Sequence, residues 1–248
     1  MAPAQTLKKQ DSAWRFYLLH LVIPLIAIGL LLWVVYILGL DQRITRFFFD
    51  PATQQFPLRN HWFLERVMHY WIKYAVIILV VMVLAAYVFS FRLALLAPLR
   101  RVLLFLILAM GLSTAAVSLL KSISPKQCPY DLKMYGGYAP YIALFEKTPE
   151  GVRPGKCWPG AHSSTGFCLM AFYFVGRHLR NRRVAYWGLL SGLGLGFILG
   201  VGRVVQGAHF FSHHLWTALI CWLVMLAMYE IMLRRQPVLK KEAALKTF

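Results

Sequence analysis

Three groups of residues suited to holding and transferring a phosphate recur at the ends of apolar runs. Lys121 closes one run. The stretch Lys156-Cys157-Trp158-Pro159-Gly160-Ala161-His162-Ser163-Ser164 opens another. Gly202-Arg203 ends a third and is followed by His209, His213 and His214. A Pro-Gly turn ahead of small residues starts a helix, and the first N–H groups of a helix lack partners and attract anions. Cations hold a phosphate, an imidazole is nucleophilic near neutral pH, and a second imidazole alternates between acid and base. A single histidine at a membrane interface is ordinarily structural; three groups at matching ends of successive runs point to chemistry. His209 and His213 are also four residues apart, the spacing of zinc ligands on one helix face, with His162 as a third ligand. That metal-dependent hydrolase reading leaves Lys121 and Arg203 without a role and sets cations beside a cation. Neither a metal nor a cofactor is therefore expected.

The elements that must position these groups are membrane helices. Of the 248 residues, 59% are apolar, and six runs, at approximately 17–40, 73–91, 101–120, 164–181, 185–202 and 214–233, approach the roughly 20 residues needed to cross a bilayer. The fifth run carries Gly188, Gly192, Gly194, Gly196 and Gly200, whose spacing allows close helix packing in a membrane. The first run is too long for a signal peptide and lacks a clean cleavage site, so it reads as a retained helix. Residues 41–50 mix charge with Phe47, Phe48 and Phe49, as a short amphipathic interfacial helix does. Residues 121–160 form one long polar loop rich in proline, without helical period. The expected fold is an all-α integral membrane protein, a single domain over residues 1–248, with six transmembrane helices, the amphipathic helix and the long exported loop.

Orientation follows from basic residues. Lys8, Lys9 and Arg15, then Arg92, Arg100 and Arg101, then Arg177, Arg180, Arg182 and Arg183, then Arg234, Arg235, Lys240, Lys241 and Lys246 crowd one set of short segments. The positive-inside rule puts both termini in the cytoplasm and all three phosphate-handling groups on the opposite face. The net charge of +18 then reflects topology and contact with anionic lipid heads; no aromatic-interleaved basic patch suggests nucleic acid. His61 and His69 read as structural or surface residues. Cys168 and Cys221 fall inside runs as core residues, whereas Cys128 and Cys157 share the exported loop, where a disulfide is the natural reading.

Lys121-x6-Cys128-Pro129, Pro159-Gly160-Ala161-His162 and Gly202-Arg203-x5-His209-x3-His213 together resemble, in order, spacing and polarity, the three motifs K-x6-R-P, P-S-G-H and S-R-x5-H-x3-D of the type 2 phosphatidic acid phosphatase superfamily, shared with vanadium haloperoxidases. The resemblance covers residues 121–213 and suggests the membrane-bound bacterial lipid phosphatase branch. It implies that His209 is the nucleophile and forms a phosphohistidine. His162 protonates the leaving oxygen and later activates water or an acceptor hydroxyl. Lys121, Arg203 and the Gly160 and Ala161 amides hold the phosphate. The chain departs from the motifs at Cys128 (for Arg), Gly160 and Gly202 (for Ser) and His213 (for Asp). A neutral His213 is expected to accept a hydrogen bond from His209, and a loop cation, Lys156 ahead of Arg153 and Lys126, to replace the missing arginine. The implied partners are a lipid phosphate substrate and membrane lipids, at the periplasmic face of a bacterial inner membrane. Undecaprenyl pyrophosphate, phosphatidylglycerol phosphate, phosphatidic acid and lipid A phosphate all fit. A non-catalytic binder or transporter of anionic lipids is the alternative from another class.

Overall fold

A computed structural model describes residues 13–235. The basic residues Lys8, Lys9, Lys240, Lys241 and Lys246 lie outside the described residues. Eight helices carry the described chain: α1 Ala13–Ile37, α2 Leu40–Phe47, α3 Phe63–Phe89, α4 Ala97–Ile123, α5 Ala161–Phe167, α6 Ala171–His178, α7 Arg182–Val205 and α8 Phe211–Arg234. Among the described residues, five of these helices, α1, α3, α4, α7 and α8, are long and apolar enough to cross a membrane. The short α2 occupies the position read as amphipathic, with Phe47 exposed at its end.

The number of apolar spans differs from the six expected. The run at 164–181 is instead a sequence of short pieces, α5, a 3-10 turn at Cys168–Met170, and α6. Its first turn is polar, with Ser163 and Ser164 bonding back to the carbonyls of Gly160 and Ala161 at 2.7 and 2.6 Å. The segment also lies in the middle of the bundle, where Phe167, Met170 and Phe174 are fully buried against protein. A helix wrapped by other helices needs no lipid-facing apolar surface, so its hydropathy is lower. The lipid-compatible faces belong to the outer helices, where Leu30, Trp33 and Ile37 of α1 and Ile78, Val81 and Met82 of α3 are exposed.

The glycines of α7 form its seam with α5 and α6. A Cβ at Gly192 would lie 2.6 Å from Met170 Cγ, and one at Gly196 would overlap the Phe167 ring. The reciprocal position, Gly166, rests on the backbone of Gly196. These contacts let the backbones approach closely, the packing mode available to helices that gain nothing from excluding water. Asn181 caps α7 by accepting hydrogen bonds from the amides of Arg183 and Val184, at 3.1 and 3.2 Å.

The long loop is built rather than loose. Its stems pair through Lys156 N–H to Ser124 O at 3.0 Å and Cys157 N–H to Lys126 O at 2.9 Å. Short 3-10 turns at Pro129–Asp131 and Lys133–Tyr135 precede Gly136, whose φ of 77° suits glycine. Phe56, Leu132, Tyr135 and Phe210 make a small buried cluster that seats the loop on the segment after α2. Asp41 of α2 accepts hydrogen bonds from the Ser212 amide and hydroxyl, so α2 caps the start of α8 from outside.

Candidate active site

The end of α7 sets two of the functional residues. Gly207 has φ 66°, its amide donates to Val204 O at 2.9 Å, and the Ala208 amide donates to Arg203 O at 2.9 Å. This double closure ends a helix on a left-handed glycine. It fixes Arg203 in the last turn and delivers His209 two residues beyond the glycine. Lys121 sits in the last turn of α4, and His162 in the first turn of α5. Three segments, the ends of α4 and α7 and the start of α5, thus bring Lys121, His162, Arg203 and His209 to the wall of one cavity of about 530 Å³.

Each group is held by identifiable neighbours. His162 Nε2 lies 3.1 Å from Met68 O. A carbonyl only accepts, so Nε2 carries the proton and Nδ1 is the basic nitrogen. Arg203 Nη1 donates to Gln206 Oε1 at 2.8 Å and lies 3.8 Å from Glu65 Oε2, while its Nε is buried with no partner among the described residues. An unused buried donor on a guanidinium is a binding capacity directed at something other than this chain. His209 and His213 face each other with their Nδ1 atoms 3.2 Å apart. If His209 attacks through Nε2, its Nδ1 carries the hydrogen and donates to His213. Burial, followed by the neighbouring His214, His213, Lys121 and Arg203, holds the His209 imidazole well below its ordinary pKa and hence neutral.

Cys128 and Cys157 are joined in a disulfide. Cys157 Sγ packs 3.0 Å from Ala208 O and 3.6 Å from His209 Nδ1. Cys157, His209 and His213 therefore present three donor atoms within 4.8 Å of one another. A disulfide sulfur offers no thiolate, so only two imidazoles in this group suit a metal. His162, the third ligand of the metal reading, is not in it.

Some expected ligands lie elsewhere. Lys156 is exposed, has φ 50° and does not line the cavity; pairing of the loop stems turns it away. The Lys126 ammonium donates to the carbonyls of Ala143 and Glu146, both at 2.7 Å. Arg153 is exposed. The Gly160 amide donates to His213 O at 3.3 Å, so it is not a free phosphate donor, although Ala161 does line the cavity. His213 borders a different, 740 Å³ cavity behind the histidine pair.

Other residues beside the cavity were given a structural role or none by the sequence reading. His69 of α3 lines the same cavity and stacks on His162, with ring centroids 4.2 Å apart and planes at 23°. Glu65, one helical turn before it, faces Arg203. His214 is buried with its Nδ1 2.9 Å from Ser163 Oγ. Its ring fills the space beside Gly160 and Gly200, where a Cβ would come within 2.5 and 2.7 Å of it.

A scan of protein families matches residues 102–237 to the PAP2 superfamily. The chain belongs to the PAP2 superfamily. No curated protein and no solved structure matches it. PAP2 membership supports a phosphoric ester hydrolase, and the matched stretch contains Lys121, His162, Arg203 and His209.

His214 gives the PAP2 departure at position 160 a physical reason. Gly160→Ser, which restores the motif residue, is expected to lower activity rather than raise it. The new Cβ would come within 2.5 Å of the buried His214 ring, and overpacking of this kind costs about 1–3 kcal/mol. Phosphate release and thermal stability of the variant measure this; activity equal to or above wild type would show that His214 moves aside freely.

Proposed function

We propose that the protein is a membrane phosphatase or phosphotransferase that removes a phosphate from a lipid through a phosphohistidine on His209. The observation that carries this reading is the composition of the 530 Å³ cavity. One end gathers His162, His209, Lys121 and Arg203. Val76, Ile77, Val80, Val81 and Met110 of α3 and α4 give the cavity an aliphatic wall, beside which Thr114, Ser118 and Thr165 also line it. A phosphate needs the first set, and a hydrocarbon chain fits the second.

His209 Nε2 attacks phosphorus, and the bond to the leaving oxygen breaks as His162 supplies its proton. The anionic substrate itself favours the protonated form of His162. Lys121 and the Arg203 Nε–H stabilise the charge that builds on the equatorial oxygens. Water, or the hydroxyl of a second lipid, then attacks the phosphohistidine with His162 as base. His209 is regenerated, and orthophosphate or a new phosphate ester leaves. Purified protein assayed against phosphatidic acid, phosphatidylglycerol phosphate, undecaprenyl pyrophosphate and lipid A phosphate tests the reading. Release or transfer of phosphate from at least one is expected, and none from any of the four returns the protein to the class of lipid binders.

The reaction belongs at the periplasmic face of a bacterial inner membrane. With α5 and α6 as the remaining traverse, six crossings put both termini in the cytoplasm, where basic residues crowd the short loops. Reporter fusions at residues 140 and 248 are expected to give opposite compartments. The same compartment for both would remove the membrane geometry on which the site is placed.

A further inference from the structure

We propose that Gln206 and Glu65 are positioning residues that hold the Arg203 guanidinium with its forked edge toward the transferred phosphate. This rests on the reading of the site as one that transfers phosphate. The third motif leaves the five residues between Arg203 and His209 unspecified, and Glu65 precedes residue 102, where the family match begins, so neither residue has an assigned role.

Orientation matters at Arg203 because the site has little else to fork onto a phosphate. Cys128 stands where the motif has its other arginine, and among the described residues Arg203 is the one arginine lining the 530 Å³ cavity. A guanidinium grips a phosphate through two parallel N–H donors, which demands direction as well as charge. A side chain free to rotate supplies the charge without the fork.

The direction follows from donor and acceptor types. The Gln206 amide nitrogen reaches Arg59 O at 2.8 Å and Glu65 Oε2 at 3.3 Å. A carbonyl and a carboxylate only accept, so the donor end of the amide belongs there. Its acceptor end is thereby turned to Arg203, whose Nη1 donates to it at 2.8 Å. Nη1 is the one Arg203 nitrogen hydrogen-bonded among the described residues, which leaves the Nε and Nη2 edge for a ligand.

The groups behind this amide are fixed in turn. Gln206 is buried and ends α7, its backbone N–H donating to Gly202 O at 3.2 Å. The Arg59 guanidinium lies 4.0 Å over the Tyr130 ring, and the Tyr130 amide donates to Gly207 O at 2.9 Å. The carbonyl that Gln206 needs is therefore tied to the turn beside it. The start of α3 is seated on the same turn, where a Cβ at Gly202 would meet Met68 Cε at 2.9 Å. Charge alone gives Glu65 no purpose here. A carboxylate 3.8 Å from Arg203 opposes an anionic substrate, a cost that its hold on Gln206 offsets.

A double-mutant cycle on the full-length protein in detergent tests this. Gln206→Leu is expected to lower kcat/KM for dioctanoyl phosphatidic acid about 10–100-fold, the scale for loss of a hydrogen bond to a charged group. The same change made in Arg203→Ala is expected to lower it by no more than about 2-fold, because no guanidinium is left to orient. A Gln206→Leu effect of equal size in both backgrounds shows general damage to the fold and overturns the proposal. Affinities of the four proteins for inorganic phosphate complete the same cycle where the Arg203→Ala rate is too small to read. Glu65 supplies an independent sign. Glu65→Ala removes a negative charge beside the phosphate, so a purely electrostatic role raises kcat/KM and positioning lowers it. Glu65→Gln keeps an oxygen for the Gln206 amide and is expected to recover most of the loss. A rise in Glu65→Ala, or equal losses in the two Glu65 variants, removes Glu65 from the proposal's support and overturns its assigned role. Wild-type protein that neither turns over the lipid nor binds phosphate would sink the phosphatase reading itself, and the positioning role with it.

Discussion

His209→Ala is expected to abolish turnover, by about 10⁴-fold or more, the scale on which removal of a covalent nucleophile acts, while the helices still assemble. The reason lies in how much of the surrounding structure serves this one ring. The closure of α7 on Gly207 delivers it, His213 holds its Nδ1 at 3.2 Å, and burial keeps it neutral. Removal of the ring leaves Lys121 and Arg203 able to bind a phosphate, but no nitrogen to receive it. The variant should therefore retain substrate affinity and lose kcat. Labelled substrate should give acid-labile phosphohistidine in the wild type and none in the variant. His162→Ala is expected to be less severe, about 10²–10⁴-fold, because an acid–base group is lost but the nucleophile remains. Near-normal turnover of His209→Ala, or a phosphohistidine that persists in it, would assign the covalent step to another residue.

The parts of the site that were legible in the sequence are those fixed by local chemistry and membrane polarity. Lys121, His162, Arg203 and His209 each stand at the end of an apolar run, and the positive-inside rule puts those ends on one side. Their spacing within the motifs did the rest. His69 was read as a structural or surface residue, because a histidine among Trp62, Tyr70 and Trp71 looks like part of an interfacial belt. Only the packing of α3 beside α4 turns that face toward Lys121. His214 was named with the third group but given no role, for a related reason. Its importance comes from the space that Gly160 and Gly200 leave for its ring, and those glycines lie in other segments. The loop cations were misplaced because sequence proximity to Pro159 suggested Lys156, whereas pairing of the 124–126 and 155–157 stems leaves it exposed. The run at 164–181 was legible as helical but not as broken, since its serines, threonine and glycine matter only where neighbouring helices press on them.

Replacement of both Cys128 and Cys157 by serine is expected to cost about 3–4 kcal/mol of stability, from the chain entropy of a loop closed over a separation of 29 residues, and to lower kcat more than it raises KM. The stability loss follows from the loop, whose stem hydrogen bonds at Ser124, Pro125 and Lys126 would have to hold the closure alone. The catalytic loss follows from position. Cys157 Sγ lies 3.0 Å from Ala208 O and 3.6 Å from His209 Nδ1, so the bridge is part of the wall behind the nucleophile. The same loop donates the Tyr130 amide to Gly207 O at 2.9 Å, in the turn that delivers His209. Loosening of that wall lets the His209 ring rotate away from His213, which a static binding assay barely registers but the chemical step does. The aliphatic wall on α3 and α4 is remote from the bridge, so chain binding and KM should change little. Alkylation followed by intact-mass measurement should find both loop cysteines protected before reduction and both labelled after it. Thermal unfolding and steady-state rates of the double serine variant complete the test. Two loop thiols labelled without reductant, or a variant with wild-type stability and kcat, would reduce the loop to a cover over the site with no part in holding His209.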